Sequence, residues 1–189
     1  PTEKKNHAVS ANLYNESIGL FTNQRLFAGY AYRFKLWSGR MAVGASVGSL
    51  EQKFDASKVE AEESGDDAFP SSEVDGMGLD ITAGVHYTHR LFHAGLSVMH
   101  LTAPTIDLGE THEIKIDPTF YFSGGCNIQL KNPLLSIQPS MQVMTDLQAW
   151  RADLTVRGTY TYDEKRYYAG LTYTPLTSVA ILLGGEINS

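Results

Sequence analysis

Residues 150–162 read Trp150-Arg151-Ala152-Asp153-Leu154-Thr155-Val156-Arg157-Gly158-Thr159-Tyr160-Thr161-Tyr162. Even positions are apolar, aromatic or glycine; odd positions are charged or carry a hydroxyl. Successive side chains of an extended strand point to opposite faces, so this period of two specifies a strand with one apolar and one polar face. It is longer than the usual strand of about five or six residues and matches the roughly 9 to 11 residues of a tilted membrane-spanning strand.

The same pattern recurs outward along the chain. Leu26, Ala28, Tyr30, Tyr32, Phe34 and Leu36 alternate with Gly29, Ala31, Arg33 and Lys35. Met41, Val43, Ala45 and Val47 alternate with small residues, and Leu79, Ile81, Ala83, Val85 and Tyr87 with Asp80, Thr82, Gly84 and His86. A hairpin must set one strand's apolar residues opposite those of the next. Two-residue turns at Ser38-Gly39, His89-Arg90, Lys131-Asn132 and Glu164-Lys165 satisfy this each time. They pair Leu36 with Met41, Tyr87 with Phe92, Ile128 with Leu135, and Tyr162 with Tyr167. Long connections are expected at about 15–24, 53–77 and 103–112, so that short turns and long loops fall at opposite rims. Aromatics such as Trp37, Phe92, Trp150 and Tyr173 cluster near strand ends, as in interfacial girdles. Pro118 and Pro139 lie within strand patterns and mark bulges or irregular rims.

The expected fold is all-β: an antiparallel up-and-down transmembrane β-barrel with about ten strands present here. The whole chain, 1–189, forms one barrel domain, with 53–77 as a long acidic loop holding Glu60, Glu62, Glu63, Asp66 and Asp67. The polar first residues and the abrupt end at Ser189 lead us to expect an internal part of a larger barrel, truncated at both ends. A hydrophobic fraction of 42% is compatible with this, since lipid-facing and lumen-facing residues average out. No apolar run approaches the roughly 20 residues of a spanning helix. The net charge of -6 argues against a nucleic-acid partner. One cysteine, Cys126, allows neither an internal disulfide nor a zinc site on paired cysteines.

Several segments, in order, resemble the PorP/SprF family of type IX secretion system outer-membrane proteins. They include Asn15-Glu16-Ser17-Ile18-Gly19, Tyr30-Ala31-Tyr32-Arg33, Asp67-Ala68-Phe69 and Gly84-Val85-His86-Tyr87. Ala94-Gly95-Leu96-Ser97-Val98-Met99-His100-Leu101, Gln138-Pro139-Ser140-Met141-Gln142-Val143 and the strand from Tyr168 to Thr172 continue the order. The family's upstream Asn-Pro-Ala segment and its closing Ser-His-Glu strand are absent. The resemblance implies a non-enzymatic outer-membrane component of type IX protein secretion in Bacteroidota, in some members linked to gliding motility. It further implies periplasmic ring proteins and lipoproteins, and secreted proteins with a C-terminal secretion domain, as partners. A passive outer-membrane channel or transporter with the same wall is the alternative reading, and a soluble lipocalin-like module is a more distant one.

Arg33, Lys35, Asp80, His86, His93, Arg151, Asp153, Arg157 and Glu186 all fall on the polar, lumen-facing side of such a wall. A charge on the lipid side at mid-membrane would cost about 2–4 kcal/mol, so this placement is forced. The seven charged residues read first as a hydrated salt-bridge network and second as a charged path or cargo-docking surface. The histidine pair reads first as a pair near the short-turn rim and second as a metal-binding or pH-sensing pair. His86 is expected directly opposite His93; without a third and fourth donor, this is no metal site. His100 and His112 are expected to lie elsewhere. Ser97 and His86 share a face but differ in height, and neither a nucleophile elbow nor a phosphate-cradling glycine loop accompanies them. No enzyme activity, cofactor or metal is therefore expected.

Overall fold

The thirteen residues that decide the reading form one strand, Trp150–Tyr162, in antiparallel ladders with a strand on either side. The computed structural model describes residues 6–54, 74–108, 112–163 and 165–186. The described elements are all strands: β1 (His7–Ile18), β2 (Phe21–Leu36), β3 (Gly39–Phe54), β4 (Val74–Thr88), β5 (Phe92–Met99), β6 (Thr105–Leu108), β7 (His112–Lys115), β8 (Thr119–Cys126), β9 (Ile128–Gln129), β10 (Leu135–Thr145), β11 (Trp150–Tyr162), β12 (Lys165–Thr174) and β13 (Ser178–Glu186). Eleven of them make one sheet in the order β1-β2-β3-β4-β5-β8-β10-β11-β12-β13, with β9 also on β10. Along this path the strands follow one another in chain order, skipping only β6, β7 and β9, which is the connectivity of an up-and-down barrel wall. β6 and β7 form a separate hairpin.

The chain divides into two compact units, and β2 to β5 contribute to both. The first comprises Pro1–Tyr32, Gly44–Ala83 and Val98–Pro118; the second comprises Arg33–Val43, Gly84–Ser97 and Thr119–Ser189.

In the second unit the ladders place apolar residues side by side on one face. Met141 pairs with Leu154, Leu154 with Tyr173 and Tyr173 with Val179; Val156 pairs with Leu171 and Leu171 with Ile181. These side chains are exposed, Ile181 at 74% and Leu183 at 76%. A continuous row of exposed aliphatics and tyrosines on a sheet this wide has the character of a lipid-facing or protein-facing surface. The first unit repeats it: Val9 pairs with Tyr30 and Leu13 with Leu26, all exposed.

The conventional core is small and belongs to the first unit. Leu50 and Ile106 are buried, and Phe21, Phe27, Ile114 and Ile116 pack against them. The β6–β7 hairpin supplies Ile106 and Ile114, so the connection expected as a long loop at 103–112 is a folded element closing over the unit's apolar cluster. Gly76 makes room for it: a Cβ there would lie 2.3 Å from the Asp107 carbonyl oxygen and 2.6 Å from Ile106. The connection expected at 15–24 is instead the two residues Gly19-Leu20 between β1 and β2, because alternation continues through Ile18 and resumes at Phe21. Most of the tract 53–77, including the acidic run, lies outside the described residues.

A short connection exists at all four places, but each is displaced from its expected position, and the third is a four-residue loop at 131–134 rather than a two-residue turn. The first is Trp37-Ser38, with Trp37 at φ 50°; Gly39 serves packing instead, since the Tyr87 ring occupies the space of its missing Cβ. The second spans Arg90-Leu91, closed by the His89 N–H donating to the Phe92 carbonyl. In the third, the Leu130 N–H donates to Leu135 and the Leu134 N–H to the Asn132 side chain, so Ile128 faces Ile137 rather than Leu135. In the fourth, Tyr162 pairs with Lys165 and Tyr160 with Tyr167. Moving a two-residue turn by one position shifts the register by two, which preserves the face of every side chain. Pro139 lies within β10, opposite the break that separates β8 from β9, where its missing N–H leaves no gap in the β8 ladder. Pro118 precedes β8 in a non-strand segment.

Candidate functional site

In the second unit, polar residues of neighbouring strands bond to one another across the face opposite the aliphatic rows. Thr174 Oγ1 donates to Asp153 Oδ1 at 2.6 Å, and Arg151 Nε donates to the same oxygen at 3.2 Å. The Thr155 and Thr172 hydroxyls lie 2.8 Å apart on paired residues of β11 and β12. Arg157 reaches across β10 to Gln138 Oε1 through Nε at 2.9 Å and also through Nη2, with its guanidinium over the Tyr168 ring. Arg166 Nη1 and Glu186 Oε2, on paired residues of β12 and β13, are 3.6 Å apart. Of the expected residues, Arg151 and Asp153 therefore form a local pair, while Arg157 and Glu186 each take a different partner.

His86 and His93 stack with ring centroids 5.8 Å apart, and His86 Nδ1 lies 3.2 Å from the Thr88 hydroxyl. They are diagonal neighbours rather than directly opposite, because the turn sits one residue later than expected. A Cβ on Gly95 would lie 2.9 Å from the His86 ring, which places Gly95 across from it. No group of three or more His, Cys, Asp or Glu side chains suited to a metal ion occurs among the described residues.

Two clefts open on this unit. One, of about 450 Å³, lies between the turn after β4 and the polar sides of β10 and β11; His89, Arg90, His93, Gln138, Ser140 and Arg157 are among its lining residues. The other, of about 560 Å³, is lined by Lys35, Trp37, Arg40, Thr88, His89 and Arg90 with Ser38 and Gly39. Arg33 is exposed on the same face of β2 as Lys35.

Asp80 belongs to the first unit and is fully buried. Its Oδ1 accepts the Ile81 N–H at 2.7 Å and the Thr102 hydroxyl at 3.2 Å, and its Oδ2 meets His100 Nδ1 at 2.8 Å. A buried carboxylate is tolerable only with such a set of partners. Strict alternation along β5 would turn His100 to the face away from Asp80. Its φ of 58° ends the alternation after Met99 and swings the ring onto the carboxylate. The one sequence signal was a histidine just beyond a strand whose hairpin partner carries a carboxylate on its polar side. His100 also lines a cavity of about 330 Å³ with Tyr14, Glu16, Arg25, Ser46 and Thr82. The Arg25 guanidinium lies 5.8 Å from the centre of the Tyr14 ring, its partner across β1 and β2.

Long antiparallel strands, sequential pairing, exposed aliphatic rows and a bonded polar face define a class, the membrane proteins that cross with strands. Among the described residues no helix is long and apolar enough to cross a membrane. The sequence model of the family described as "Type IX secretion system membrane protein PorP/SprF" matches residues 1–189. The chain belongs to that family and is a membrane component of the type IX secretion system. No individual curated protein matches it.

Proposed function

We propose that this chain is a non-enzymatic binding and assembly component of type IX secretion, residing in the bacterial outer membrane as one barrel domain. Family membership across the whole chain carries this reading, and the exposed aliphatic rows supply the surface for outer-membrane lipid. The polar face, with Arg33, Lys35, Asp80, His86, His93, Arg151, Asp153, Arg157 and Glu186, faces the interior of the barrel, where a charge need not stand alone in lipid. Its partners are periplasmic ring proteins and lipoproteins, secreted proteins with a C-terminal secretion domain, or both, with gliding motility as one outlet.

Cross-linking of the tagged full-length protein in native outer membranes, followed by mass identification, tests the proposal. Recovery of ring lipoproteins or secretion-domain cargo is expected. Recovery of the protein alone, together with steady ion conduction in planar bilayers, would replace this reading with that of a passive channel.

A further inference from the structure

Charge is divided unevenly between the two units. The first holds six Lys and Arg against sixteen Asp and Glu; the second holds nine against five, a surplus of four positive charges within a chain of net charge -6. Four of the second unit's nine Lys and Arg line the two clefts described above. Lys35, Arg40 and Arg90 line one, Arg90 and Arg157 line the other, and the clefts share Thr88, His89 and Arg90. No carboxylate lines either of them. The ion pairs formed by arginines of this unit, Arg151 with Asp153 and Arg166 with Glu186, lie outside both clefts.

We infer that these adjoining clefts bind an extended acidic peptide segment of a partner protein. Clefts lined by one sign of charge concentrate the field and draw in ligands of the opposite sign. Guanidinium forks such as those of Arg40 and Arg90 match carboxylates in bidentate geometry. Volumes of about 450 and 560 Å³, joined by shared residues, exceed what a single small anion fills and suit a run of residues. The wall is not purely cationic: Asn127, Gln138 and Ser140 offer amide and hydroxyl groups to a peptide backbone, and Trp37, 87% exposed, offers an indole face at one end.

The inference rests on reading the chain as a partner-binding component, but its test involves no secretion. The full-length protein in nanodiscs of zwitterionic lipid is titrated into a fluorescein-labelled peptide alternating Glu and Ser, and anisotropy is read at low and at high salt. Binding that weakens with salt is expected. Arg40→Gln with Arg90→Gln weakens it about tenfold or more, whereas Lys131→Gln with Lys165→Gln, an equal loss of charge outside the clefts, changes it less than about twofold. Heat-modifiable migration in gels confirms that both variants are folded. If no binding occurs, or if both variants lose affinity equally, the clefts are not the site and the inference falls. Complete displacement of the peptide by a stoichiometric amount of tripolyphosphate would overturn it in favour of a phosphate ligand. Cross-linking that recovers no partner removes the functional reading instead, leaving the peptide measurement standing by itself.

Discussion

Asp80 and His100 show how much a single buried carboxylate can organise. Asp80→Ala leaves the Ile81 N–H and the His100 ring without their shared acceptor, while the Thr102 hydroxyl keeps the Leu79 carbonyl at 2.9 Å. Its cost should be about 3–5 kcal/mol, as when one partner of a buried pair is removed. Asp80→Asn keeps an oxygen for Ile81 and Thr102 and loses only the acceptor for His100, costing about 1–3 kcal/mol. Urea unfolding from lipid vesicles, followed by tryptophan fluorescence, should rank the native chain above Asp80→Asn and that above Asp80→Ala; a native midpoint for the alanine variant contradicts the assignment. Asp146, in the turn after β10, makes a second residue-scale case. Its carboxylate accepts the Ala149 N–H at 2.7 Å and the Gln148 N–H at 3.0 Å, and these bonds hold it below the usual carboxylate range. Its folded pKa is thus lower than its unfolded one. The stabilisation it contributes is complete above the unfolded value of about 3.9 and is lost as pH falls through the folded value. An NMR titration of Asp146 in nanodiscs should give a midpoint below about 3.9; a midpoint at or above that value shows the turn bonds to be absent in solution. Alternation put Asp80 on the polar side of its strand but could not show its partner, because His100 leaves the strand pattern at the residue where it becomes important.

At the scale of elements, alternation carried nearly all of the legible information. It identified most of the strands, and it was blind to register changes of two, which is why all four hairpins were displaced while apolar residues still paired with apolar ones. Gly39 illustrates the ambiguity: a glycine beside a serine reads as a turn, yet this one accommodates the Tyr87 ring, and the positive φ falls on Trp37. The β6–β7 hairpin was missed for a related reason. Its strands are four residues each, too short for alternation to stand out, and the glycines at 76 and 78 that receive it look like ordinary strand glycines. Gly76→Ala should therefore strain the docked hairpin by about 1–3 kcal/mol and raise tryptic cleavage after Lys115 roughly 5- to 150-fold. Gly158→Ala, whose Cβ would meet nothing closer than 3.8 Å, should leave cleavage unchanged. Equal cleavage in the two variants would mean that the hairpin is not held against β4.

For the whole molecule, the hydropathic average conceals the property that matters. A chain with 42% hydrophobic residues reads as soluble until those residues are sorted by face, and a net charge of -6 hides a unit that is positive on its own. The central claim is that one face of these strands meets lipid. It is tested most directly by placing a nitroxide, one site at a time, from position 150 to 162 of the protein in vesicles, and reading collision with lipid-soluble oxygen and with a water-soluble nickel chelate. A lipid-facing side gives a period of two: high oxygen and low nickel accessibility at 152, 154, 156 and 158, and the reverse at 153, 155, 157 and 159. Nickel accessibility at 154 and 156 equal to that at 155 and 157 would place both faces in water and contradict it.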